Sequence, residues 1–393
     1  MVDRMAGGPS EFLFVIEDGL GHAVHAANVE RVLAGTAHVA GRVIRVRPPA
    51  DPRHAAPFVE NWSVQTSWLT RRAVEAHTHH DPIDALFIHT QVASLLARPI
   101  MRRVPTIVSL DATPRNFDTM ADAYQHLRQT RAVEWGKDMV SRRALHASAA
   151  IVTWSQWAAD SVVGDYGVAP ERVHVIPPGV DVDAFRPRAW HDESRRLRVL
   201  FVGGDFVRKG GPYLLRAAAA LGDDVELDIV TREPVGPCGA NVRVHTDVAP
   251  NSATMAALLS DADVFALPSL GDCTPLAIAE ALASGLPIVA STVGALSELV
   301  TDGWNGFLVP PGDAPAIAAS LSKLSGDTTL RSVMGRRSRQ LAESQHDMTK
   351  NWRRVFDLMS HVADDAVGPR SSMASAPSRP ATARRVPLGA GRA

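Results

Sequence analysis

Asp272-Cys-Thr-Pro-Leu-Ala-Ile-Ala-Glu280, continued by Ala281-Leu-Ala-Ser-Gly-Leu-Pro-Ile-Val-Ala290, decides how this chain is read. A loop acid precedes a short apolar helix, and a second acid follows eight residues after the first. Thr274 suits the N-cap and Pro275 the first helical position, where a missing N–H costs nothing. The amides of Leu276 and Ala277 then point outward without intrahelical partners. Such a helix start favours a phosphate, with dipole support of ~0.3–2 kcal/mol. Gly285 stops the helix, and Leu286–Ala290 returns as a strand. Glu280 is either a solvated face residue or a ligand for polar hydroxyls. Asp272 is either a loop cap or an acid facing a reacting group.

The same alternation runs through the chain. Candidate strands are Phe12–Glu17, Val43–Val46, Ala85–His89, Thr106–Leu110, Ala150–Thr153 and Val173–Ile176 in the first half. Arg198–Val202, Val225–Val230, Val242–Val244, Val264–Leu267 and Pro287–Ala290 follow in the second. Helical stretches between them predict an α/β fold of two doubly wound parallel sheets. The expected division is 1–180, 181–345, a helix over 346–362 crossing back to the first unit, and a disordered tail over 363–393. The boundary rests on Pro177-Pro-Gly-Val-Asp181 and the polar run His191–Arg196. Gly303–Gly306 and Pro310–Asp313 read as turns. The tail is Pro, Ser, Ala, Gly and Arg with few large apolar residues.

Composition bounds the function. The formal net charge is −1, so no global field draws the chain to nucleic acid or anionic membrane. Two cysteines, Cys238 and Cys273, argue against a disulfide framework and for a reducing cytosol. No apolar run reaches the ~20 residues of a membrane span. The basic stretch Arg128–His146 admits peripheral contact with the inner membrane face. Glu134 and Asp138 interrupt it, so a packed domain helix is expected.

Further polar groups stand at strand ends. Val199–Val202 leads into Gly203-Gly-Asp-Phe-Val-Arg-Lys-Gly-Gly211. Gly203 and Gly204 permit close backbone approach, and Arg208 and Lys209 sit at the mouth of the next helix. Ligands of open α/β sheets bind beyond the carboxyl ends of strands, which places both cations where a diphosphate would lie. Gly19, Gly21 and His22 form a glycine loop after the first strand, without the spacing of a dinucleotide fingerprint. His89-Thr90-Gln91 and Asp111 also end strands and would face a cleft. His22 with His25, and His77 with His79 and His80, lack the acids or cysteines of a metal site.

Together these residues resemble glycosyltransferase family 4, a retaining family with the GT-B fold of two Rossmann-like domains. The resemblance runs from Phe12 to about Val362. It is most specific over Ala262–Ser269, Gly306–Asp313 and Tyr166–Asp181. It implies a nucleotide-diphosphate sugar as donor, a glycan, lipid or small-molecule acceptor, and no metal. The family's E-x7-E signature would fall on Asp272 and Glu280. The first acid then lies near the transferred sugar and the second on the ribose, while Lys209 binds the diphosphate. The chain departs from the family in four places: Asp at 272, Thr274-Pro275 for a Phe-Gly pair, Gly203-Gly204 where an arginine is usual, and Asp111 for a cleft histidine. Arg208 would take the arginine's work. The alternatives are a non-catalytic sugar-nucleotide-binding protein and a nucleotide-sugar epimerase.

Overall fold

A computed structural model describes residues 10–19, 22–37, 39–47, 61–125, 130–188 and 196–367. Gly21, residues 48–60, most of the polar linker and residues 368–393 lie outside the described residues.

Two six-stranded sheets carry the fold, and every strand pair is parallel. The first contains β1 (Ser10–Glu17), β2 (Val39–Val46), β3 (Ala85–His89), β4 (Thr106–Leu110), β5 (Ala150–Thr153) and β6 (Val173–Val175). The second contains β7 (Leu197–Val202), β8 (Val225–Val230), β9 (Val242–His245), β10 (Val264–Leu267), β11 (Ile288–Ser291) and β12 (Gly306–Val309). Their orders are β2-β1-β3-β4-β5-β6 and β12-β11-β10-β7-β8-β9. In each sheet the strand order therefore reverses once, between β1 and β3 and between β7 and β10. A crevice opens beyond the strand ends at such a switch point.

The strands form continuous apolar runs because helices cover both faces. Leu13, Phe14, Val15 and Ile16 are all buried, as are Val264 to Leu267. The sequence reading missed β12. It is a four-residue strand at the sheet edge beside β11, and the flanking glycine and proline turns obscure its period.

A last helix, Met348–Val367, returns to the first sheet. It runs five residues past the expected end at Val362. Met348, Trp352, Val355, Phe356, Met359 and Val362 recur at helical spacing and bury against Phe12, Phe14 and Phe87. Phe14 meets Trp352 and Phe356 edge-on, both at 5.9 Å. The chain thus passes twice between the two halves, and the crossings are bonded together. Val180 N donates to His346 O at 2.8 Å, and Met348 N to Val180 O at 3.0 Å. A Cβ on Gly179 would lie 2.2 Å from Met348 Cα, so the crossings touch backbone to backbone.

Candidate active site at the two sheet switch points

The loop after β7 turns tightly into helix Gly211–Leu221. Gly210 makes this possible: its φ is 83°, and a Cβ there would lie 1.9 Å from Pro268 O. The close approach carries Lys209 to the loop after β10. Lys209 Nζ lies 2.5 Å from Asp272 Oδ2, which also accepts from Ser269 Oγ at 3.1 Å. Asp272 is 5% exposed, so this is a nearly buried ion pair.

Arg208 is held more elaborately. Its Nε donates to Asp205 at 2.8 Å, and one terminal nitrogen, Nη1, to Gly271 O at 2.8 Å and Tyr124 Oη at 3.3 Å. The guanidinium also lies 4.5 Å from the centre of the Tyr124 ring. Burial opposes its charge, but Tyr124, Asp272 and Asp205 outweigh burial and stabilise it. Its other terminal nitrogen, Nη2, has no partner among the described residues. Gly204 is exposed, and a Cβ built there would meet nothing within 4 Å. The resemblance puts an arginine near Gly203-Gly204; Gly204 is open, whereas Gly203 is buried and a Cβ on it would lie 2.9 Å from Phe201 Cζ.

The helix after Asp272 begins one residue later than the spacing predicts. It spans Leu276–Ala283 with Pro275 at the N-cap, and Thr274 does not cap it. Thr274 Oγ1 is buried with no partner. Proline at the cap holds the extended ψ of 120° that precedes the first helical residue, and its carbonyl accepts from Ile278 N at 3.1 Å. The amides of Leu276 and Ala277 have no backbone partner among the described residues, as the sequence reading required of a helix start. Glu280 lies further along the same helix, 6% exposed and without a hydrogen-bond or ion-pair partner among the described residues. Burial alone pushes its carboxyl from 4.5 up to about 7.

Across the cleft, the first sheet contributes the loops after β1, β3 and β4. His22 opens helix His22–Ala34 and stands between two acids. Its Nδ1 is 3.6 Å from Glu17 and its Nε2 3.7 Å from Asp111. Burial works against protonation, but Asp111 and Glu17 outweigh it and hold His22 up to about 10. The two acids thus favour the protonated form of His22, whose ring stands between them. His89 does not face the cleft as expected. It is fully buried and stacked on Trp154 at 4.7 Å and 6°. Burial and the neighbouring His22 keep it neutral, and its Nδ1 pairs with Ser109 Oγ at 3.2 Å. His25 packs beside it and is lowered by burial to about 3. Its ring and Trp352 border a narrow cavity of about 10 Å³, room for roughly one water. Gly19 lies in the β1 loop near Glu17: a Cβ on it would be 3.1 Å from Glu17 Oε1.

The two sides meet over Asp272. Residues 114–125 lean across so that Met120 packs with Ala112 and Cys273. A Cβ on Gly271 would sit 2.7 Å from Ala123 Cβ. Asp111 and Asp272 both oppose ionisation of Tyr124 and Cys273, on top of burial, so the two acids share one neighbourhood. Glu298, from helix Leu296–Leu299, reaches the opposite half. Its carboxylate accepts from Gln156 N and Trp157 N, both at 2.7 Å, at the start of helix Gln156–Gly164. Sequence reading missed Glu17, Tyr124 and Glu298. Glu17 ends a strand and carried a readable signal; the other two act only through contacts between the halves. Among the described residues no three His, Cys, Asp or Glu side chains are grouped to hold a metal ion.

Comparison with known proteins agrees with this architecture. Residues 18–184 match the family model described as Glycosyltransferase Family 4, and residues 196–327 the one described as Glycosyl transferases group 1. The chain is 35% identical over 241 residues to an MMP alpha-(1->4)-mannosyltransferase of Mycolicibacterium hassiacum, covering 55% of this chain and 58% of that protein. It is 32% identical over 232 residues to a D-inositol 3-phosphate glycosyltransferase of Xylanimonas cellulosilytica, covering 53% and 54%. The chain thus spans little more than half the length of the curated relatives it matches. In fold it is similar to sucrose-phosphate synthase from Thermosynechococcus elongatus. The TM-score is 0.72 at 17% identity, over 90% of this chain and 99% of that one. Anabaena HepE in complex with UDP-glucose is similar at a TM-score of 0.65 and 17% identity, over 89% and 99%. The GT-B fold is that of these neighbours. With one family model on each sheet, the chain belongs to glycosyltransferase family 4.

Proposed function

We propose that this chain transfers a sugar from a nucleotide-diphosphate sugar to a hydroxyl acceptor, with retention of anomeric configuration. The observation that carries the reading is the group gathered beyond β7 and β10: Lys209, Arg208, the amides of Leu276 and Ala277, and Glu280, with Nη2 of Arg208, both amides and the Glu280 carboxyl lacking partners among the described residues. Cations and amides suit a diphosphate. A buried carboxylate with no partner suits a pair of ribose hydroxyls, since unmet burial is costly and a ligand relieves it.

In this mechanism negative charge grows on the diphosphate as the anomeric bond breaks. Lys209, Arg208 and the helix-start amides stabilise it where little water enters. Lys209 exchanges its contact with Asp272 for the phosphates, and Asp272 is left to hold sugar hydroxyls. Asp111, with its paired His22, faces the acceptor hydroxyl. The acceptor attacks from the side the diphosphate leaves, and a phosphate oxygen receives its proton. No metal is part of the proposal. The acceptor is a glycan, lipid or small molecule. Peripheral membrane contact, should the acceptor be a lipid, would engage the exposed Val133, Trp135 and Val140 of helix Arg131–Ala147.

A thermal-shift screen against UDP-, GDP-, ADP- and TDP-sugars tests the donor. A binder at 100 times its dissociation constant adds ~2.7 kcal/mol of stability. Lys209→Ala and Glu280→Ala should abolish transfer while leaving the protein folded. Full activity in both variants refutes the reading, and binding without turnover across a broad acceptor panel favours a non-catalytic sugar-nucleotide binder.

A further inference from the structure

We propose that Tyr124 is a positioning residue for this transfer. Contributed by the half that carries β1–β6, it fixes Arg208 so that Nη2 is presented to the donor's diphosphate, and the cation set is complete only when the two halves are closed. The proposal rests on the nucleotide-sugar reading above.

Arg208 has five N–H groups in a planar fork. Three are committed, to Asp205, Gly271 O and Tyr124 Oη, and the remaining two are both on Nη2. Within its own half, Arg208 is held by Asp205 and by one carbonyl. The Arg208 side chain is 11% exposed and the Asp205 side chain 42%, so this pair is half open to solvent and leaves the far side of the guanidinium to be fixed by other contacts. The Tyr124 ring, 4.5 Å from the guanidinium, supplies the flat surface that sets the plane of the fork. Tyr124 is itself placed from behind. Phe117 meets it edge-on at 5.2 Å, and Met120 and Ala123 of the same segment seat on Gly271, where no side chain fits. Gly271 thus serves twice: its carbonyl takes Nη1, and its missing side chain lets Tyr124 approach. The open space at Gly204 makes this arrangement consequential, because the β7 loop carries no other arginine to meet the diphosphate.

The experiment is a kinetic double-mutant cycle on the full chain, with the nucleotide sugar found by the screen. Tyr124→Leu removes the ring and hydroxyl but keeps apolar bulk; Tyr124→Phe keeps the ring. Tyr124→Leu should lower kcat/KM for the donor about 10-fold to 100-fold, the scale of a misplaced charge-stabilising group. Tyr124→Phe should recover most of it. In an Arg208→Ala background, Tyr124→Leu should have almost no further effect. Additive losses in the two backgrounds, or a Tyr124→Leu enzyme within twofold of wild type, overturn the proposal while leaving the nucleotide-sugar reading intact. Absence of donor binding and turnover in the wild-type protein overturns both.

Discussion

Glu280→Gln should stabilise the protein at high pH and weaken its hold on a nucleotide. The carboxyl is 6% exposed and has no partner among the described residues, and burial raises it from 4.5 to about 7. At about 1.4 kcal/mol for each tenfold change in proton affinity, that rise corresponds to about 3 kcal/mol. The sign follows from linkage. Below pH 4.5 the carboxyl is protonated in folded and unfolded chains alike, and its contribution is fully present. Between 4.5 and about 7 the folded chain binds more protons, so stability falls as pH rises. Above about 7 the whole amount is lost. Glutamine cannot ionise, so the variant escapes this loss. Urea unfolding of both proteins at pH 5 and pH 8 should show the variant's advantage growing by about 2 kcal/mol over that range, with most of the growth below pH 7. A difference that does not change with pH refutes the reasoning, since it would mean the carboxyl is not an uncompensated buried acid. Isothermal titration should show weaker binding of the nucleotide sugar to the variant at pH 8.

Other outcomes follow from named contacts. Asp272→Asn removes the acid that occupies Lys209, so a nucleoside diphosphate should bind more tightly by calorimetry while sugar transfer falls. Glu298→Ala leaves the amides of Gln156 and Trp157 uncapped from across the cleft. It should cost about 1 kcal/mol of stability and shift the small-angle scattering profile toward a more open form. Trp352→Ala should cost about 3–5 kcal/mol in chemical denaturation, because its ring packs on Phe14, Phe87 and His25. His22→Gln should flatten the pH dependence of stability. Its folded-state value is raised from 6.5 to about 10, so the stability it contributes is present below 6.5 and is lost as pH rises through 10.

Burial on both faces made the sheets readable in the sequence: runs such as Leu13 to Ile16 admit few other interpretations. The Asp272–Glu280 element was readable because a helix start, a lone acid and a stop signal coincide in one short segment. What escaped notice has a common physical cause. Thr274 and Pro275 favour a helix starting one residue earlier, and the observed register, with Pro275 at the cap and Thr274 making no cap bond, runs against those local preferences. His89 is polar at a strand end, yet Trp154, 65 residues away in the chain, covers it. Tyr124 and Glu298 matter through partners on the opposite half, and local periodicity carries no trace of such pairs. β12 is too short to show a period between its turns.

The terminal helix also imposes an order on synthesis. Phe12, Phe14 and Phe87 leave the ribosome well before Met348, Trp352 and Phe356, which cover them. The half built on β7–β12 has its whole core before that point. The second half to be translated can therefore be the first to finish folding. The earlier half waits with an apolar face uncovered, a natural target for a chaperone, until the last helix docks and ties the two crossings together.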